Sequence, residues 1–277
     1  MKIVFIADVF ADEVPGGGEL VNQEVINLLR ADGHTVTQIK SQDVNSDFVI
    51  QENSQGSKFI LGNFLALKPG AVSALITSEY IIYEHDHKYL ATRDPSKFKD
   101  YVAPKSQVVN EFFYNHAKAV LCQSKGHADI VTKNLPSANV VNMSCSVWDK
   151  DFVDTVESID VNDLDRSSVA AILQSNNPTK NQMKAEFYCQ KNQIAYDLIN
   201  AANPSELFRK LTKYDSLVFF PSVYETFCRV VVEAKLAGCK IITNPNLLGV
   251  ASEQWFSSKK EDILSKIKKA PRETVDT

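Results

Sequence analysis

The sequence predicts an α/β protein made of two Rossmann-like domains, each built on a parallel sheet. Three observations carry this reading. Residues 2–39 run strand, glycine loop, helix, strand, which is how a Rossmann-like unit opens. Residues 217–243 run strand, loop, helix, turn, strand, and a single crossover between two apolar runs implies parallel pairing. A length of 277 residues favours two domains over one.

Composition narrows the class. The chain is 44% hydrophobic and 23% charged, as expected of a soluble globular protein. Its formal net charge is −4 with no basic run, which disfavours nucleic acid as the main partner. The five cysteines are scattered, odd in number and without a Cys-x-x-Cys pair, so free thiols in a reducing compartment are expected. The opening MKIVFIADVFADE is apolar over too short a distance for a signal peptide. No run approaches the roughly 18 apolar residues that span a bilayer. A cytoplasmic location is expected.

In chain order, Lys2 to Ala7 is a strand and Asp8 to Gly18 a loop. Glu19 to Ala31 is a helix with Leu20, Val25, Ile26 and Leu29 on or near one face, stopped at Gly33; Thr35 to Ile39 is the next strand. Gly16, Gly17 and Gly18 either let the backbone approach an anionic ligand or form a merely flexible loop. They do not spell Gly-x-Gly-x-x-Gly, so no nicotinamide cofactor is inferred. Residues 47–50 and 58–61 are short apolar runs, and Gly62-Asn63 turns the second toward the ligand side. Tyr80 to Tyr83 is a strand followed by Glu84-His85-Asp86-His87. On extended chain His85 and His87 share a face. A metal pair there lacks a spaced third ligand, and a polar surface turn is the alternative. Residues 91–106 read as a mobile loop on the ligand side, a candidate for acceptor contacts. Gln107 to His116 is a helix, Ala119 to Gln123 a strand, and Ser124 caps a helix over Lys125 to Asn134. Lys125 runs against the helix dipole there, either facing an anion or simply exposed. Asn139 to Met143 is the last strand of this half.

Residues 149–165 are acidic and show neither a strong strand nor a long helix, which places the boundary there: a first domain over 1–155, a second over 156–257 and a final helical segment over 258–277. Val169 to Leu173 opens the second sheet. A polar loop leads to Lys180 and a helix over Gln182 to Gln190, and Ile194 to Ile199 is a strand. Pro204 to Lys213 is a helix capped by Asn203. Leu217 to Phe220 is a strand closed by Pro221, a helix beginning near Phe227 or Cys228 ends at Gly238, and Lys240 to Thr243 is a strand. Within VVVEA, Glu233 is out of place: a carboxylate packed among valines is costly unless paired. The second domain has room for about four βα units, small for its class. Ser258 to Lys269 is amphipathic through Ile263, Leu264 and Ile267.

The spacing Glu225-x7-Glu233 within ETFCRVVVEAKLAGC, with FFP before it and AGCKIITN overlapping its end, resembles the acidic motif of retaining GT-B glycosyltransferases of family GT4. The resemblance implies a GT-B fold, two Rossmann-like domains facing across a cleft, here with the second reduced and the last helix crossing back to the first. It implies transfer of a sugar from a nucleotide diphosphate sugar, UDP- or GDP-linked, to a sugar or other hydroxyl acceptor. Anomeric configuration would be retained, and neither a metal nor a cofactor would be needed. By the same resemblance Glu225 contacts the donor sugar and Glu233 holds the ribose. The helix start over Thr226, Phe227, Cys228 and Arg229 faces the diphosphate, and Lys180 binds it. Gly16, Gly17, Gly18 and Glu19 match the family's glycine loop. His85 is the first choice and His87 the second for a histidine directed at the donor sugar, with Asp86 orienting one of them and Asn63 near the ligand. Two positions depart from the pattern: Cys228 stands where Gly is usual, and Ser175 where an Arg shares the diphosphate with the Lys. Arg229 either replaces that Arg or forms an i,i+4 pair with Glu225. The rival readings are a non-catalytic nucleotide-sugar-binding relic, a sugar-nucleotide epimerase, and a DNA glucosyltransferase with a basic cleft. The base, the sugar, the acceptor and the oligomeric state stay open at this stage.

Overall fold

The structure, a computed structural model, describes residues 1–162 and 164–277. The chain forms two compact units: Met1–Val147 with Ala270–Thr277, and Trp148–Lys269.

The first unit alternates strand and helix: β1 (Lys2–Ala7), α1 (Gly17–Ala31), β2 (Thr35–Lys40), α2 (Ser46–Ser54), β3 (Lys58–Leu61), α3 (Pro69–Ile76), β4 (Tyr80–Glu84), α4 (Glu111–His116), β5 (Ala119–Cys122), α5 (Lys125–Asn134) and β6 (Val140–Asn142). The six strands pair in parallel in the order β2-β1-β3-β4-β5-β6. Helices account for the near-continuous apolar runs: a parallel sheet is covered on both faces, and Val4, Ile6, Leu61 and Ile82 are fully buried. From β1 the chain steps to β2 on one side and returns to β3 on the other. The crevice between the carboxyl ends of β1 and β3 is therefore a topological switch point, where open α/β sheets bind ligands.

Several elements differ from the sequence reading. The apolar run at 47–50 lies in helix α2, started by Asn45, whose side chain accepts from Phe48 N at 2.8 Å. Helix α3 is not among the elements the sequence reading expects; Pro69 at its first position, where a missing N–H costs nothing, is its signal. Helix α4 begins only at Glu111, after a 3-10 turn at Lys105–Gln107 and a left-handed Asn110. The loop at 91–106 is fastened rather than loose. Buried Asp94 accepts from Ser96 N, and an isolated bridge joins Leu90 to Val108. Asn134 accepts from Ala103 N at 2.9 Å and donates to Tyr101 O at 2.8 Å. Asn134 ends α5, which runs back from the carboxyl ends of the strands. Residues 101–103 thus lie at the opposite edge from the ligand side where this loop was expected.

The second unit contains α6 (Lys150–Ser158), β7 (Ser167–Leu173), α7 (Gln182–Lys191), β8 (Tyr196–Ile199), α8 (Pro204–Leu211), β9 (Tyr214–Phe219), α9 (Arg229–Leu236) and β10 (Lys240–Thr243). Its strands pair in parallel in the order β10-β9-β7-β8. Here the switch point lies between β7 and β9. The acidic stretch read as lacking a long helix contains the 9-residue α6. Asp149 caps it by accepting from Phe152 N at 2.7 Å, and Phe152 and Val156 sink into the core. Asn203 caps α8 as expected, accepting from Glu206 N at 2.9 Å. The turn after α9 is closed by Gly238 at φ +83°. The final helix, α10 (Lys260–Asp276), is longer than read and carries Pro271 inside it. Among the described residues no helix is long and apolar enough to cross a membrane.

Candidate functional site

In the second unit, Lys180 and Glu225 stand on loops leaving the carboxyl ends of β7 and β9, neighbours across the switch point. Lys180 Nζ donates to both carboxylate oxygens of Glu225, at 2.8 and 2.9 Å. Burial works against the ammonium, but the Glu225 carboxylate outweighs it and raises the Lys180 pKa. The two loops are also tied by Ser222 N donating to Thr179 O at 2.9 Å. Behind them, Glu225 N donates to Leu247 O and Gly249 N to Glu225 O, a strap that fixes the backbone of Glu225 from the segment after β10. Ser175, where the resemblance calls for an Arg, instead organises the turn: its hydroxyl accepts from Asn177 N and its own N donates to Gln182 Oε1.

Cys228 is the N-cap of α9 and sits at φ 77°, ψ 71°. That is left-handed backbone, ordinarily the province of glycine. The chain therefore makes here, with a buried thiol, the turn that glycine makes elsewhere; burial pushes the thiol pKa well up. Thr226 and Phe227 are buried, and Phe227 O accepts from Val250 N.

Glu233 meets the demand that its burial creates. It is 3% exposed. Its Oε1 accepts from Trp148 Nε1 at 2.8 Å and lies 3.6 Å from Arg229 Nε. The Arg229 guanidinium stacks over the Trp148 ring at 4.8 Å. Burial raises the Glu233 pKa, with Arg229 and Trp148 opposing. The i,i+4 pair read between Glu225 and Arg229 is not the one formed: the local offset loses to Lys180 on one side and to Glu233, one turn further on, at the other. Trp148 was missed by sequence reasoning, since nothing local marks a tryptophan as the partner of an acid so far along the chain.

In the first unit, His85 follows the carboxyl end of β4. Its Nε2 lies 2.7 Å from Asn22 Oδ1 on α1, and a Cβ built on Gly18 would lie 3.4 Å from its ring. The glycine stretch thus comes against His85, and Glu19 folds its carboxylate back over Gly16. Gly17 has open space beside it. Asn63 accepts from Phe64 N at 3.1 Å. His87 does not share a face with His85. Its φ of 60° breaks the extended chain, and Nδ1 pairs with Tyr89 Oη at 2.9 Å while the ring packs edge-on to His127. Asp86 orients neither ring in the way expected; its carboxylate accepts from Lys88 Nζ at 2.8 Å and pairs with Arg93. Lys125, read as facing an anion or exposed, is exposed and paired with Asp129.

Sequence reasoning also missed the charged centre beneath this turn. Lys88 and Glu84 side chains are both 0% exposed and joined at 2.8 Å. Tyr114 Oη donates to the other Glu84 oxygen, and Asp86 N to the first. Burial opposes ionisation of Glu84, yet Lys88 and these donors outweigh it and hold its pKa below the usual carboxylate range. Burial, with Lys88 adding to it, lowers His85 to about 3. His87 is lowered well below its ordinary value, by burial first and then by His127. Burial lowers His127 to about 3. These rings are neutral at physiological pH. Among the described residues no group of three or more His, Cys, Asp or Glu side chains is placed to hold a metal ion.

No protein-family model matches the chain, and no curated protein matches it significantly. Solved structures do share its fold. An alpha-glucosyltransferase in complex with UDP and a 13-mer DNA containing an HMU base is 10% identical, with a TM-score of 0.53 over 100% of this chain and 91% of that one. Anabaena Alr3699/HepE in complex with UDP-glucose is 13% identical, with a TM-score of 0.51 over 100% of both chains. At such identities the likeness is one of fold: two Rossmann-like parallel-sheet units of the GT-B class, the second reduced to four strands.

Proposed function

We propose that the protein is a glycosyltransferase that moves a sugar from a UDP-sugar to a hydroxyl acceptor with retention at the anomeric carbon. The observation that carries this is the Lys180–Glu225 pair at the switch point of the second sheet. In support, the solved structures of like fold hold UDP or UDP-glucose.

In the reaction, the bond from the anomeric carbon to the diphosphate breaks and its electrons leave with the diphosphate. The acceptor oxygen bonds the same carbon on the face the diphosphate leaves, and its proton passes to the departing diphosphate oxygen. Lys180 meets the charge that develops on the leaving group, aided by backbone amides at Phe227 and Cys228; fixed donors aimed at developing charge are worth most in a partly dry site. Glu225, released from Lys180 as the diphosphate takes that cation, accepts from sugar hydroxyls. Glu233 shares Trp148, Arg229 and the ribose hydroxyls among the roughly four acceptor directions of a carboxylate. Arg229 orders Glu233 rather than replacing the missing Arg, which leaves Lys180 as the principal cation. In the first unit, His85 serves the donor sugar as a neutral hydrogen-bonding ring, and the glycine loop lies at its side.

The test is turnover of UDP-glucose and related donors, assayed with no acceptor, with simple sugars and lipid-linked sugars, and with hydroxymethylated duplex DNA. Acceptor-dependent release of UDP with an α-linked product from an α-linked donor is expected. Tight UDP binding with no release under any condition contradicts transfer, and interconversion of the donor sugar without an acceptor contradicts it in favour of epimerisation.

A further inference from the structure

We infer that Asn22 is a positioning residue for His85, fixing both the direction of its ring and its Nε2–H tautomer. This rests on the role proposed above for His85. The geometry is specific. Asn22 is 2% exposed on α1 and lies four residues after Gly18, on the same helical face. The amide oxygen of Asn22 stands 2.7 Å from His85 Nε2. An amide oxygen only accepts, so Nε2 carries the proton and donates it. The other ring nitrogen, Nδ1, is then the acceptor of the neutral ring.

The surroundings are shaped to keep Asn22 in place. A Cβ added at Gly62 would lie 2.5 Å from Asn22 Nδ2 and 2.6 Å from its Oδ1, a separation that real atoms do not adopt. Gly62 immediately follows β3, and its N donates to Ile6 O of β1 at 2.9 Å, so it is locked at the switch point of the first sheet. The absence of a side chain at Gly62 is what lets a buried amide reach from α1 to the end of β4. Gly18 does the same for the ring itself. A polar side chain this deeply buried and matched to one atom of a ring holds that ring more firmly than solvent does.

The experiment compares wild type, Asn22→Asp, Asn22→Ala and Gly62→Ala, using ring-nitrogen NMR of His85 and donor turnover in parallel, with unfolding midpoints recorded for each. Wild type is expected to show one His85 tautomer, protonated at Nε2. Asn22→Asp, which keeps the shape and accepts more strongly, keeps that tautomer and raises the pH at which His85 titrates. Asn22→Ala and Gly62→Ala give a tautomer mixture and lower kcat about 3- to 10-fold with little change in donor KM, the range that one net hydrogen bond supplies. A wild-type Nδ1–H tautomer overturns the proposal, as does an unchanged Nε2–H tautomer in both Asn22→Ala and Gly62→Ala. A protein inactive on every donor leaves the NMR result standing, so failure of the transferase reading is distinguishable from failure of this one.

Discussion

Replacing Lys88 by Met removes the side-chain cation that, among the described residues, is bonded to Glu84, and the cost follows from the burial of both. The two side chains are 0% exposed, and Lys88 Nζ bridges Glu84 Oε1 and Asp86 Oδ1, each at 2.8 Å. Methionine fills similar volume, so packing changes little. What changes is that a fully buried carboxylate is left, among the described residues, with Tyr114 Oη and Asp86 N as donors. Removing one partner of a buried ion pair costs about 3–5 kcal/mol. At about 2–4 °C per kcal/mol for a chain of this order, the unfolding transition of the first unit should fall by roughly 6–20 °C. Glu84→Gln in the same background removes the stranded charge and should recover part of the loss, so that the two changes couple by about 1–3 kcal/mol. Urea unfolding of wild type, both single variants and the double variant measures this. Lys88→Met within about 1 kcal/mol of wild type, or a cycle with no coupling, would refute the reasoning.

Two further outcomes follow from the buried groups. His87 and His127 are fully buried with pKa values held below 6.5. A depressed folded-state pKa gives stability that is present above pH 6.5 and lost as pH falls, because the unfolded chain then binds protons that the folded one refuses. These two rings, with His85 lowered in the same sense, give a slope of up to roughly 4 kcal/mol per pH unit below pH 6. Urea midpoints that do not move between pH 7 and pH 5 would contradict this, and His127→Phe should flatten the slope by about one proton. At Cys228, relief of about 1–2 kcal/mol of left-handed strain on substitution by Gly is offset by lost thiol packing and by about 0.5–1 kcal/mol of chain entropy. Cys228→Gly should therefore lie within about 1 kcal/mol of wild type. Cys228→Val, β-branched at positive φ, should cost more than about 2 kcal/mol; equal stabilities for the two would show that the backbone there is not held left-handed.

Much of the fold was legible because its signals are local. Continuous apolar runs marked the buried strands, and short polar side chains at Ser124 and Asn203 marked helix starts that the structure caps through those same atoms. The reading failed where the deciding contact is distant. Helix α6 hid behind its acids, because its buried face is short: Phe152, Thr155 and Val156. The cost argument at Glu233 required a partner but could not name Trp148. Lys180 and Glu225 were each nominated on their own, and only the strand order brings them to 2.8 Å. The i,i+4 rule favoured Arg229 as the partner of Glu225, yet an exposed pair of that kind is worth only about 0.3–0.5 kcal/mol, too little to compete with a tertiary one. Glu84 and Lys88 looked like the solvated end of a strand. Nothing within five residues shows that Tyr114 seals them from water, nor that His87 takes a positive φ to reach Tyr89 and His127.

The central claim, that Lys180 meets the diphosphate at the second sheet's switch point, is tested most directly by calorimetric titration of UDP into wild type and Lys180→Ala, with the exposed Lys150→Ala as control. Charge-assisted hydrogen bonds of about 1.5–3 kcal/mol predict that Lys180→Ala weakens UDP about 10- to 100-fold while Lys150→Ala leaves it unchanged. Equal affinity in wild type and Lys180→Ala, or no binding of UDP to wild type, would contradict the account.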